Sequence, residues 1–136
     1  MPIDGTAVIP FILSISGGTY TDLATSGTQY LSIGSRSSPS PDPTDFYWTA
    51  TRAGTFGRAI GNLEVAPAAG TSRIFRLYLN GAVQAVTLTF AAGVTQAEDL
   101  VNTLDVVRGD QICWRSTVTG APAACDVSLA VEFTPT

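Results

Sequence analysis

The side chains that could do chemistry in this chain are few, and their types narrow what that chemistry can be. Its 136 residues hold eleven carboxylates, seven basic residues that are all arginine, and two cysteines, with no lysine and no histidine. Without histidine the Ser-His-Asp and Cys-His arrangements lack their general base, and without lysine neither Schiff-base nor lysine-base catalysis is open. Carboxylate pairs are what is left: Asp42 with Asp45, Glu98 with Asp99, and Asp105 with Asp110. A glycosidase holds two such groups roughly 5 to 9 Å apart in a cleft and raises the pKa of one. These pairs fall in polar loops or at strand ends, where water keeps both members ionised. The reading is of a protein with no catalytic residue, not an enzyme.

The remaining constellations reduce to turn chemistry. Pro41-Asp42-Pro43-Thr44-Asp45 offers carboxylates to a calcium ion but has neither the glycine spacing nor the bidentate glutamate of such a loop. Gly17-Gly18 precedes no helix and so makes no phosphate loop. Arg108-Gly109-Asp110 spells an adhesion tripeptide, yet after Val106-Val107 and before Gln111-Ile112 it reads as a tight hairpin turn. Arg52 and Arg58, beside Ala53-Gly54-Thr55, suit carboxylates across a subunit contact or a solvated surface. No metal ion and no cofactor are expected.

Cys113 and Cys125 cannot complete a zinc site without histidine. They flank a segment that reads as a hairpin with its turn at Thr119 to Pro122, and a disulfide closing so short a loop is worth about 3 kcal/mol in the chain-entropy model. Side-chain parity points the other way, since Cys113 faces outward beside Ile112 and Trp114, while Cys125 shares parity with Val127, Leu129, Val131 and Phe133. A disulfide and a buried free thiol both stand open at this point.

The whole of residues 1–136 reads as a single domain, and a chain of this length buries on the order of two-thirds of its unfolded surface. The formal charge is -4. That balance, with no basic stripe or polybasic patch, argues against nucleic acid and against an anionic membrane as partners. Only 13% of residues are charged, which fits either surface covered in subunit contacts or a small-residue, threonine-rich β surface. The opening residues carry no basic segment, and the apolar run Ala7 to Ile15 is broken at Pro10, so neither a signal peptide nor an anchor is expected.

The elements that must position these groups are strands. Arg73 to Phe90 is the strongest signal, with alternating Phe75, Leu77 and Leu79 against Arg76 and Tyr78, and Asn80-Gly81 at the turn. A strict two-residue turn sets Gln84 opposite Leu77, and a one-residue bulge sets Ala85 there. Other strands are expected at Ala7 to Ile15, ended by Gly17-Gly18, and at Thr28 to Ile33. Further ones follow at Phe46 to Ala50 with Trp48 in the core, at Phe56 to Val65 with a bulge across Gly61, and at Leu100 to Val107. Gln111 to Val118 and Asp126 to Phe133 complete the set. Pro10 favours an edge or a bulge. Gly34 to Asp45 reads as a surface excursion, and Thr95 with Glu98 has capping-box spacing for one helical turn within Ala91 to Glu98. About nine short strands without crossover helices predict an all-β, antiparallel two-sheet sandwich or barrel.

Four segments carry a resemblance: Thr51-Arg-Ala-Gly-Thr-Phe-Gly-Arg-Ala-Ile-Gly-Asn-Leu63, Arg76-Leu-Tyr-Leu-Asn-Gly81, Val106-Val-Arg-Gly-Asp-Gln-Ile112 and Val127-Ser-Leu-Ala-Val-Glu-Phe133. Together they resemble the jelly-roll heads of the tumour necrosis factor and C1q type, found in bacterial exosporium and collagen-like surface proteins and in compact domains on tailed-phage capsids. The resemblance implies a jelly-roll sandwich and a homotrimer. The chain lacks a Gly-X-Y stalk, which turns the expectation toward a virion component made in the host cytoplasm. It would be a capsid decoration or cement protein of a tailed bacteriophage, placed on the capsid exterior against the major capsid protein. The alternative expectation is a receptor- or glycan-binding head of a phage fibre or bacterial surface protein.

Overall fold

The computed structural model describes residues 12–136. They form β1 (Leu13–Thr19), β2 (Gln29–Leu31), β3 (Arg36–Ser37), a 3-10 turn (Pro43–Asp45), β4 (Trp48–Thr49), β5 (Gly54–Leu63), β6 (Ser72–Leu79), β7 (Ala82–Phe90), β8 (Gln96–Val106), β9 (Gln111–Thr119) and β10 (Val127–Pro135). Sheet A has the order β3-β1-β10-β5-β8 and sheet B the order β2-β9-β6-β7, with β4 also paired to β9. All pairings are antiparallel except the short β1–β3 contact. This is an antiparallel two-sheet β-sandwich of jelly-roll type, as the alternation predicts. The expected Ala7–Phe11 part of the first strand, with Pro10, lies outside the described residues.

Alternation along each strand decides which side chains meet in the core. Val127, Leu129, Val131 and Phe133 of β10 face Phe75 and Leu77 of β6, Val86, Leu88 and Phe90 of β7, and Ile112 and Trp114 of β9. Each large apolar side chain so buried contributes roughly 1.5–3 kcal/mol. Trp48 is half-buried rather than wholly internal; it packs edge-on against Phe56 at 5.6 Å and Phe133 at 5.7 Å.

The β6–β7 hairpin turns at Asn80 (φ 48) and Gly81 (φ 86), the double positive-φ geometry of a type I′ turn. It leaves the turn in strict register, Leu79 with Ala82 and Tyr78 with Val83. The register then slips by two, so that Arg76 meets Thr87. The even slip keeps Val86, Leu88 and Phe90 on the core side, where a one-residue bulge would have turned them to water.

Several expectations are corrected. Gly17 and Gly18 lie inside β1 rather than ending it, because β1 runs so close to the segment after β2 that a Cβ on Gly17 would collide with the Ser32 carbonyl. The expected helical turn at Thr95 to Glu98 does not form, for β8 starts at Gln96 and Gln96 to Asp99 pair with β5. The bulge in β5 falls at Arg58, not Gly61: the register shifts between Gly57 and Ala59, Arg58 takes φ 53, and Ile60 points outward. The Gly34 to Asp45 excursion is pinned by paired backbone hydrogen bonds between Tyr30 and Ser40. Finally, β9 and β10 belong to different sheets, so the segment between the cysteines crosses the sandwich and is not a hairpin.

Where β7 and β8 abut, Asp99 ties the two sheets. It is 8% exposed, and its carboxylate accepts from Thr87 N at 2.9 Å, Val101 N at 3.1 Å, and Asn102 N and Nδ2 at 3.0 and 2.9 Å. Burial alone would push its pKa up, but the hydrogen bonds from Asn102, Thr87 and Val101 together outweigh it and hold the group below the usual aspartate value.

Two outcomes are expected. Gly81→Val should lower unfolding free energy by roughly 1 kcal/mol or more through backbone strain, since nothing crowds a Cβ there; urea denaturation midpoints measure it, and an unchanged midpoint would contradict the turn's role. Asp99→Ala should cost about 1–3 kcal/mol by leaving the part-buried Thr87, Val101 and Asn102 amides without their acceptor. Because the folded pKa is depressed, the stabilisation is complete above about pH 3.9 and is lost as pH falls through the lower folded value. Melting curves from pH 7 down to pH 2 should show a shallower acid loss in the variant, and equal acid sensitivity would place that loss elsewhere.

Candidate functional site

The outer face of sheet B brings together aromatic and cationic side chains from three strands, β2, β9 and β6. Register fixes one row: Tyr30 of β2 opposite Arg115 of β9, Arg115 opposite Arg76 of β6, and Arg76 opposite Thr87 of β7. Two residues along, a second row runs Cys113, Tyr78, Val83. Directly opposed residues on one face have Cβ atoms about 4.5–5.5 Å apart, so these side chains form one patch. The Tyr30 and Tyr78 rings lie 5.0 Å apart at 56°.

Tyr47, just before β4, joins this cluster. Loss of water pushes its phenol up from the usual value, with Cys113, Tyr30 and Asp42 close enough to add to the shift. Tyr78 is likewise raised, by a hydrogen bond with Tyr30, by loss of water and by the Tyr30 and Tyr47 hydroxyls, against the opposing pull of Arg115. The Tyr47 and Tyr78 phenols are therefore neutral hydrogen-bonding groups at ordinary pH. Half-buried Tyr47 and Tyr78 present ring surface to solvent over the buried Tyr30, with Arg76 exposed and Arg115 half-buried alongside.

A second feature lies at the far end of the strands, on sheet A. A cavity of about 300 Å³ is lined by Arg36, Asn62, Leu63, Glu64, Asp126, Val127 and Ser128. Carboxylate oxygens of Asp22, Glu64 and Asp126 sit within 4.8 Å of one another at this end. That spacing could hold an oxygen-ligated cation. Asp22 and Glu64 are exposed, and Arg36 lines the same cavity as Glu64 and Asp126.

The carboxylate pairs read from sequence are occupied by the fold. Asp42 caps the 3-10 turn, accepting from Thr44 N and Oγ1 at 2.9 and 2.7 Å, and Asp45 accepts from Ser40 Oγ at 2.7 Å. Glu98 points to water while Asp99 points in. Asp105 accepts from Thr55 Oγ1, and Asp110 from Val107 N and Asn80 Nδ2. Asp42, through Thr44, and Asp110, through Val107 and Asn80, are both held below the ordinary carboxylate value, opposite to the shift a general acid requires. Arg108-Gly109-Asp110 is a tight turn with Gly109 at φ 94, but it joins β8 of sheet A to β9 of sheet B rather than closing a hairpin. Arg58 meets Glu132 of its own chain at 3.6 Å on the surface.

Arg73, read from sequence only as the start of a strand, is 1% exposed. Its Nη2 donates to the Ala123 carbonyl at 2.8 Å, and burial lowers its pKa, with nearby Cys125 opposing that shift. Cys113 and Cys125 are free and buried, the first beneath the tyrosines outside sheet B and the second in the core. They stand on opposite sides of sheet B, Cys113 outside it and Cys125 between the sheets.

No family model matches the chain, and no curated protein matches it. Among solved structures it is similar to the native structure of a family 35 carbohydrate binding module from Clostridium thermocellum, at 13% identity and a TM-score of 0.42, covering 92% of this chain and 98% of that one.

Burial pushes the Cys113 thiol up to about 12, and Cys125 is fully enclosed. Neither should react with a bulky aromatic disulfide reagent in the native protein, and both should react after unfolding without reductant. An unfolded chain with no titratable thiol would show that the two are bonded.

Proposed function

We propose that this protein is a non-enzymatic glycan-binding head, of the kind borne on phage fibres or bacterial surface proteins, and that it binds through the outer face of sheet B. The observation that carries the reading is the Tyr30, Tyr47 and Tyr78 cluster beside Arg76 and Arg115. A sugar ring has an apolar C–H face, which an aromatic ring covers, and equatorial hydroxyls, which phenol and guanidinium groups can hydrogen-bond. Tyrosine offers both at little conformational cost. The tumour necrosis factor and C1q resemblance fits the same sandwich and belongs to this proposal, as does a homotrimer.

A capsid decoration role is the second reading, favoured by a different observation. Val101 is 86% exposed on the β8 bulge, with Leu100 beside it and Ile60 on neighbouring β5. Such an apolar group gains by being covered, by sister subunits or by a major capsid protein on the virion exterior.

Calorimetric titration against oligosaccharides found on a glycan array tests the first reading. Wild-type protein should bind at least one, and Tyr78→Ala should weaken that binding about tenfold or more without unfolding the sandwich. A protein that binds no glycan but sediments with empty capsids and raises their melting temperature would replace the first reading by the second.

A further inference from the structure

Resting on the glycan-binding reading, we infer that the ligand is a carboxylate-bearing sugar, held by Arg76 and Arg115 together. These two arginines are direct register partners on adjacent antiparallel strands, on the solvent side of sheet B. Like charges placed directly opposite each other destabilise a sheet. A carboxylate on a neighbouring strand would relieve such a pair, but the flanking positions in the same row are Tyr30 on one side and Thr87 on the other. Among the described residues the ion pair that forms is Arg58 with Glu132, on the other sheet, and neither Arg76 nor Arg115 has a carboxylate partner. The Thr87 hydroxyl donates to its own strand at Ala85 O, so it does not serve the pair either.

The chain as a whole is acidic, at -4, so an uncompensated pair of cations is a local exception to its charge. Two planar guanidinium forks side by side match one carboxylate, each able to donate two parallel N–H bonds. Arg115 lies close enough to the Tyr78 hydroxyl to pull its pKa down, so an anion seated on the pair sits at the rim of the aromatic cluster. A uronic acid joins both demands in one ring: a C–H face for Tyr78 and Tyr47, and a carboxylate on the ring for Arg76 and Arg115. A neutral sugar would leave the arginine pair unanswered.

The test compares an oligouronate with its carboxyl-reduced counterpart of the same linkage, by calorimetry, against wild type, Arg76→Gln, Arg115→Gln and Tyr78→Ala. Wild type should prefer the uronate by about tenfold or more, and the preference should shrink as salt rises. Each glutamine variant should lose that preference, keep the weaker binding of the neutral sugar, and melt no lower than wild type, since removing one arginine relieves repulsion. Tyr78→Ala should lose both ligands. Equal affinity of wild type for the two sugars would overturn the inference and leave glycan binding standing, whereas binding of neither sugar, with a blank array, would remove the underlying reading. Preference for a sulfated oligosaccharide over the uronate would overturn the carboxylate assignment, and marked destabilisation of both glutamine variants would make the arginines structural.

Discussion

Two sheets stacked face to face bury their inner surfaces readily, but their edges leave backbone donors without a ladder, and one carboxylate settles that problem where the jelly roll turns. Asp99 stands on β8 of sheet A and accepts the Thr87 amide of β7 in sheet B, while its other contacts close the bulge formed by Leu100, Val101 and Asn102. Without that acceptor a part-buried amide on each side would lose its partner. With it, β8 can make two extra residues fit opposite Arg58 and still pair with β5 at both ends. The opposite corner uses the same device in neutral form: the Thr19 hydroxyl, fully buried, accepts from Val127 N as β10 begins. Inner-face packing gives this sandwich its driving force, and these side-chain acceptors satisfy backbone amides that the ladders leave over, Asp99 between the sheets and Thr19 within sheet A.

What could be read from the sequence was what is local. The β6–β7 hairpin, the Asn80-Gly81 turn and the inward face of β10 follow from period-two alternation and from residues that accept positive φ. The misplacements lie where pairing between strands decides what local spacing cannot. Cys113 and Cys125 look like the legs of a hairpin because Thr119 to Pro122 is rich in turn formers, yet the chain crosses sheets there. Thr95 and Glu98 have helix-start spacing, but pairing with β5 outweighs a single capped turn. Ile60 looks internal until the Arg58 bulge reverses the parity of everything after it. The tyrosine–arginine face was legible only in fragments: Arg76 and Tyr78 announced a wet face, but Tyr30 and Arg115 meet them through pairings of strands far apart in sequence.

The two outer faces of the sandwich are chemically unlike, although both are solvent-facing. Sheet A presents small or short side chains, Ser128 and Ala130 on β10 and Gly57 and Asn62 on β5, together with the apolar Ile60, Leu100 and Val101 and the Arg58–Glu132 pair. Sheet B carries the tyrosines, two further arginines and a buried thiol beneath them. A face kept only for solubility has no need to desolvate phenols or to oppose two cations. The 3-10 turn and the Tyr30–Ser40 bridge hold the Pro-rich excursion against this face and so bring Asp42 toward Tyr47. A loop that length alone would suggest is mobile is thus part of the patch's frame.

Strand β6 carries both kinds of arginine, and the contrast between them separates structure from recognition. Arg73 points inward, is enclosed, and spends its Nη2 on the Ala123 carbonyl, pinning the segment that crosses from β9 to β10. Its Nε and Nη1 meet no oxygen, a cost that only a structural gain can offset, and that gain is the anchoring of Cys125 in the core at the start of β10. Arg76, three residues on, points outward and anchors nothing among the described residues, while its neighbour Arg115 repels it. A charge that holds a carbonyl inside a protein is explained by folding. A charge held against a like charge, in water, beside tilted phenol rings, is what the proposed ligand would answer.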